Sequence, residues 1–150
     1  MKFAMYGSGA AGSVFASYLR NGGADIILID RYEAHMKKIA EDGMTFTIHL
    51  QEGGEYRDIT KVLEGFRTYT SAQAAFEAEG KVDAIIYMTK ATQLEQAIVD
   101  SAPVVGEDTV AVSLINGLGN DDNLLKTYPA GRCVIGSGVL GKALKGPGHC

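Results

Sequence analysis

Gly7-Ser8-Gly9-Ala10-Ala11-Gly12 lies directly behind a short apolar run and directly ahead of residues at helical spacing. In that setting each glycine has its own physical task. Gly7 permits a tight turn, Gly9 lets bare backbone approach an anion, and Gly12 lets a helix lie close to the preceding strand. The helix N-terminus then offers free N–H groups and a partial positive charge, a suitable seat for a pyrophosphate. Ser8, Ala10 and Ala11 belong to the same loop, and Ser8 there is expected to meet a phosphate rather than act as a nucleophile. Asp30 follows close to the roughly 20-residue spacing at which a carboxylate reaches the hydroxyls of an adenosine ribose. The competing reading is a tight turn in another α/β protein, for instance a flavodoxin-like one. The position of the hexamer, its strand-to-helix context and Asp30 together weigh against it.

Two further positions could carry chemistry. Lys90 comes just after the apolar stretch Val82 to Met88, and Asn116-Gly117-Leu118-Gly119 just after Thr109 to Leu114. Ligands of open α/β sheets bind beyond the carboxyl ends of the strands, so both would line one cleft. A lysine supplies a point charge for a carboxylate or phosphate, and an asparagine supplies one acceptor and two donors. Taken singly, a lysine after a strand is an ordinary solvated side chain and Asn-Gly is turn chemistry. His35, His49 and His149 share no ligand spacing and are read as surface or structural residues, with no metal site. The sequence has no G-x-S-x-G elbow, no H-E-x-x-H and no Walker motif, which leaves hydrolase and nucleoside-triphosphatase mechanisms without a basis.

The elements that must hold these residues follow from periodicity and punctuation. Lys2 to Tyr6 predicts a strand, Ala10 to Arg20 a helix stopped by Asn21-Gly22-Gly23, and Asp25 to Asp30 a second strand. Their continuous rather than alternating hydrophobicity suits a parallel sheet covered on both faces. Glu33 to Glu41 predicts a helix. Met44 to Leu50 and Tyr56 to Ile59, flanking Glu52-Gly53-Gly54, predict an inserted β-hairpin. Helices over Ser71 to Glu79, Gln93 to Ser101 and Asp121 to Thr127 alternate with strands over Val82 to Met88, Thr109 to Leu114 and Cys133 to Gly136. The alternation predicts an α/β, doubly wound Rossmann fold with a mostly parallel sheet, in one domain spanning residues 1–150.

Composition narrows the classes further. A chain of 150 residues with 46% hydrophobic and 21% charged residues can bury one real core. The net charge of −4, with scattered lysines and arginines, provides no field for nucleic acid. The N-terminal apolar run stops at Gly7, far short of a signal-peptide core or membrane span, and Cys133 and Cys150 have no metal-ligand spacing. The expectation is a cytoplasmic protein with reduced thiols and no membrane partner. The oligomeric state is left open, a homo-oligomer included.

Together these residues resemble the ketopantoate reductase (2-dehydropantoate 2-reductase) family. The resemblance runs over essentially the whole chain. It rests on Gly7 to Gly12, Asp30-Arg31, the inserted hairpin, Thr89-Lys90-Ala91-Thr92-Gln93, Asn116-Gly117-Leu118-Gly119 and Gly146-Pro147-Gly148. The glycine motif is shared by many dehydrogenases, whereas the Lys-Ala-x-Gln and Asn-Gly-x-Gly pair is more specific. The resemblance implies hydride transfer from NADP(H) or NAD(H) to the ketone of ketopantoate or a related 2-oxoacid, in pantothenate biosynthesis. It also implies that Lys90 and Asn116 touch the cofactor near its reactive end and help order the ternary complex. In the family, a lysine that donates the proton and a glutamate that holds substrate belong to a second, helical domain. Neither lies within this chain, which on its own is expected to lack significant reductase activity. Ile115 stands where a glutamine often precedes Asn-Gly, and Lys142 falls near a usually small residue.

Asp30 and Arg31 pull cofactor choice in opposite directions. The carboxylate favours an unmodified ribose and repels a 2′-phosphate, while the resemblance gives Arg31 a 2′-phosphate or adenine contact. Each unit charge pair is worth on the order of 4 kcal/mol at about 4 Å and an effective dielectric near 20, so geometry decides. Two other readings remain at this stage: a stand-alone dinucleotide-binding sensor or regulatory module without catalysis, and the Rossmann domain of another dehydrogenase.

Overall fold

The chain starts with β1 (Lys2–Tyr6), turns through the glycine loop into α1 (Ala10–Asn21), and returns as β2 (Asp25–Ile29). The computed structural model describes residues 1–138 and 141–150. After α2 (Glu33–Asp42) come β3 (Met44–Glu52) and β4 (Glu55–Leu63), an antiparallel hairpin forming its own two-stranded sheet. Then follow β5 (Arg67–Tyr69), α3 (Ala72–Glu79), β6 (Val82–Tyr87) and α4 (Leu94–Asp100). The last elements are β7 (Val105–Ser113), α5 (Asn120–Leu125) and β8 (Cys133–Ile135).

Six strands make one sheet in the order β5-β2-β1-β6-β7-β8, with every neighbouring pair parallel. Counted among the strands of this sheet, that is the 3-2-1-4-5-6 order of the Rossmann fold, as expected from the sequence. The strand order reverses between β1 and β6, so the crevice at their carboxyl ends is where such a sheet takes a ligand. Alternation along the strands divides the core in two. Ile27, Ile29, Ile85 and Tyr87 face α3, α4 and α5, whereas Ile26, Leu28, Ile86 and Met88 face α1, α2 and the hairpin.

Several elements depart from the sequence expectation. The hairpin strands are longer, because Thr45↔Val62 through Glu52↔Glu55 pair without a break. Strand β5 was not anticipated. Its three residues carry no apolar signature, and Arg67 anchors the strand through ion pairs to Asp25 and Glu79. Strand β7 begins at Val105 rather than Thr109, and a 3₁₀ turn over Ala91–Gln93 precedes α4. The segment ending at Cys150 lies beside β3: Thr47 N–H donates to the Cys150 carbonyl at 2.9 Å and Cys150 N–H to the Thr45 carbonyl at 3.0 Å. Both cysteines are free.

His35 joins this returning segment to the glycine loop. It is fully buried, and Gly148 N–H donates to its Nδ1 at 2.8 Å. Its Nε2 lies 3.0 Å from Ser13 Oγ, and that hydroxyl donates to the Ser8 carbonyl at 2.7 Å. Since the hydroxyl proton is committed to a carbonyl, Nε2 carries the imidazole proton and Nδ1 is a pure acceptor. Burial holds the His35 pKa below the usual histidine value, against the opposing pull of Asp30. Protonation would also set Nδ1–H against Gly148 N–H. A histidine with a depressed folded pKa contributes stability that is complete above its unfolded value of about 6.5 and is lost as pH falls towards the folded value. The melting temperature is therefore expected to drop between pH 7.5 and 5.5. His35→Gln should cost about 1–3 kcal/mol at pH 7.5 and flatten that acid slope. Melting curves for the two proteins at both pH values check this, and an unchanged slope in the variant would assign the acid sensitivity elsewhere.

Candidate functional site

The glycine loop is fixed by contacts that exclude side chains. Gly7 has φ +93°, and a Cβ on it would lie 3.0 Å from the Met88 carbonyl carbon and from Thr89 N at the end of β6. A Cβ on Gly12 would lie within bonding distance, 1.9 Å, of the Gly7 carbonyl oxygen. Gly9 differs: it has φ −66°, and a Cβ there would meet nothing within 4 Å. Gly7 and Gly12 thus set the fold of the loop, whereas Gly9 opens onto free space. Gly9 caps α1 without any side-chain hydrogen bond, and no acidic residue occupies the first turn. The first helical bond runs from Ser13 N–H to the Gly9 carbonyl at 2.8 Å, so the N–H groups of Ala10, Ala11 and Gly12 have no helical partner.

Asp30 latches this loop to the end of β2. One carboxylate oxygen accepts Ser8 N–H at 2.6 Å and the other accepts Tyr32 N–H at 2.8 Å. The carboxylate is only half-buried, and each oxygen keeps lone-pair capacity for a further donor. Ser8 is arranged differently from the sequence expectation. Its side chain is fully buried, with no partner for the hydroxyl among the described residues, so it is turned inward rather than towards the cleft.

Two adjoining cavities extend from the loop. The larger, of about 470 Å³, includes Gly7, Gly9, Asp30, Arg31, Lys90 and Asp100 in its lining. The smaller, of about 280 Å³, includes Ala11, Lys90, Asn116 and Lys142. Met88, Thr89 and Lys90 line both, so the two form one groove running across the N-terminus of α1. Lys90 and Asn116, distant in sequence, are brought together in the smaller cavity. Both are exposed, and Asn116 donates to the Gly138 carbonyl at 3.3 Å. Arg31 and Lys142 are exposed as well. Among the described residues no cluster of His, Cys, Asp or Glu could hold a metal, and no helix is long and apolar enough to cross a membrane.

Sequence reasoning passed over Tyr6, Thr70, Gln96 and Asp100, all of which line the larger cavity. A signal was present: Gln93, Gln96, Ala97 and Asp100 recur at helical spacing immediately after a strand end, which puts them on one face of α4 turned to the crevice.

A parallel sheet in this order, with a glycine loop and an acidic latch at its reversal point, defines a dinucleotide-binding type of α/β domain. The family model for ketopantoate reductase PanE/ApbA matches residues 3–150, and the chain belongs to that family. It is 32% identical over 148 residues to the 2-dehydropantoate 2-reductase of Lactococcus lactis subsp. lactis, covering 99% of this chain and 44% of the relative. A crystal structure assigned as a 2-dehydropantoate 2-reductase from Enterococcus faecalis superposes with TM-score 0.79 at 33% identity, covering 99% of this chain and 44% of that one. D-mandelate dehydrogenase in a ternary structure with NADH and anilino(oxo)acetate superposes with TM-score 0.76 at 32% identity, again over 99% and 44%. The chain thus spans less than half the length of these relatives.

The two kinds of glycine should separate in stability. Gly12→Val forces a side chain into the Gly7 carbonyl and should destabilise by about 3 kcal/mol or more, whereas Gly9→Val should stay within about 1 kcal/mol of wild type. Chemical denaturation of both variants checks the order, and equal losses would contradict the open position of Gly9.

Proposed function

We propose that the chain is the cofactor-binding domain of a 2-oxoacid reductase, seating a nicotinamide dinucleotide along the groove. The observation that carries this reading is the loop over Gly9, where bare backbone opens onto free space beside N–H groups that have no helical partner, at the strand-order reversal. The residues present fit such a ligand. The pyrophosphate would lie over Gly7 to Gly12 and take N–H donors from Gly9, Ala10 and Ala11. The adenosine ribose would face Asp30 and Arg31, and the reactive end would extend past Lys90 to Asn116. The bound dinucleotide supplies hydride. The chain's part is to bind and orient: Lys90 places a fixed positive charge between the two cavities, and Asn116 supplies amide donors and an acceptor in the smaller one.

Family membership supports a 2-oxoacid as the acceptor, with ketopantoate the leading substrate and pantothenate biosynthesis the place of action. The D-mandelate dehydrogenase at comparable identity, with NADH and an oxoacid analogue bound, supports the class of reaction and widens the choice of acid. The helical substrate domain expected from the family would complete the site and provide the proton donor, so this domain by itself binds cofactor without appreciable turnover.

Cofactor choice follows from the latch. Asp30 is held by two backbone N–H groups, so it cannot swing aside to admit a 2′-phosphate without releasing the loop. NAD(H) should accordingly bind at least as well as NADP(H). Calorimetric titration of NADH should detect binding to wild type and a loss of at least about tenfold in Gly9→Val. In Asp30→Ala the ratio of NADPH to NADH affinity should rise about tenfold, as removal of an opposing charge requires. An unchanged ratio would show that Asp30 does not read the 2′ position, and unimpaired binding to Gly9→Val would remove the pyrophosphate from the loop.

A further inference from the structure

Asp30 is not the only carboxylate at its end of the groove. Asp100, the last residue of α4, lines the same cavity, with Gln96 and Ala97 one turn before it. Gln96 Nε2 donates to Asp100 Oδ1 at 2.7 Å, which restrains the carboxylate on the helix face that borders the cleft. Tyr6, at the end of β1, forms part of the same lining. Its phenol is half-buried, and its ionisation is opposed by burial first, then by Asp100 and Asp30, while Arg31 favours it. All three charges therefore act on one point of the cavity. Asp30 and Asp100 oppose the single guanidinium of Arg31, and Lys90 stands further along, where the two cavities meet.

We propose that Asp100, restrained by Gln96, is a second determinant of cofactor specificity, which with Asp30 offsets the charge of Arg31 and disfavours a dinucleotide bearing a 2′-phosphate. The inference rests on the dinucleotide reading above. A 2′-phosphate adds about −1.5 to −2 charges near neutral pH. That increment meets two carboxylates against one guanidinium, so Arg31 by its presence does not make the site selective for NADP(H). The carboxylate acts across solvent-lined space rather than by contact, so its influence should weaken with salt. An unmodified ribose adds no charge, and NADH should barely register Asp100.

The test is a pair of titrations, NADH and NADPH, on wild type, Asp100→Asn and Asp108→Asn. Asp100→Asn keeps an oxygen for the Gln96 bond and removes an acid from a helix C-terminus, where the dipole disfavours it, so the variant should fold at least as well as wild type. Asp108→Asn removes the same charge from an exposed position outside the cavity lining. The expected result is a gain of about threefold to tenfold in NADPH affinity for Asp100→Asn at low salt, shrinking in 0.5 M salt at about a 4 Å screening length, with NADH within about twofold. Asp108→Asn should leave both unchanged. Equal gains for the two cofactors, no gain for NADPH, or the same gain in Asp108→Asn would overturn the role of Asp100 while leaving the dinucleotide reading intact. Failure of wild type to bind either cofactor would remove that reading and this inference with it.

Discussion

The approach of α1 to the end of β1 is the constraint on which the rest of the site depends. With a hypothetical Cβ on Gly12 only 1.9 Å from the Gly7 carbonyl, the helix reaches its seat only if residue 12 has no side chain. Once seated, the helix begins beside the crevice between β1 and β6, where the strand order reverses, with first-turn N–H groups that have no helical partner. Gly7, at positive φ, brings the loop against Met88 and Thr89, so the end of β6 and its following residue Lys90 are placed by the same contact. The groove is thus a consequence of backbone packing, and its side chains are added to a form already fixed.

Two sets of polar contacts hold the loop in that form. Asp30 grips Ser8 N–H from the β2 side, while Ser13 Oγ grips the Ser8 carbonyl from within α1 and passes the connection to His35 and Gly148. Ser8 is therefore held at both its N–H and its carbonyl. Its buried hydroxyl, without a partner among the described residues, marks the cost of that geometry. The Gly146-Pro147-Gly148 segment, remote in sequence from the loop, is tied to it through one imidazole, which links the geometry of the loop to the path of the chain after β8.

Much of this was legible in the residues because backbone demands leave a sequence mark. The loop glycines, the strand–helix alternation and the hairpin around Gly53-Gly54 each correspond to a steric or periodic rule, and the doubly wound, mostly parallel fold followed from them. The rest depends on contacts without a local signature. Strand β5 is only Arg67–Tyr69 and is secured by ion pairs to Asp25 and Glu79 from other elements. The pairing of Cys150 with Thr45 and Thr47 joins residues far apart in the sequence. The burial of the Ser8 hydroxyl depends on the packing around the loop, which leaves no mark in the sequence. Asp100 and Gln96 had the spacing of a helix face, but which face met the crevice depended on how α4 packs against the sheet.

The site therefore contains two classes of residue with different freedom to change. Gly7, Gly12, Asp30, Ser13 and His35 are bound into the loop by steric exclusion or hydrogen bonds, and replacing one disturbs the loop along with the groove. Arg31, Lys90, Asn116, Asp100 and Lys142 are exposed side chains placed around that frame, where substitutions shift charge and shape at little cost to folding. Such an arrangement lets the charge and shape of the groove diverge while the loop persists. Relatives at comparable identity and TM-score, one assigned as a 2-dehydropantoate 2-reductase and one a D-mandelate dehydrogenase, accord with that division. On the proposed reading, Asp30 in the frame and the exposed residues around it would share the choice of cofactor, and the frame would favour ligands that present an anion to α1.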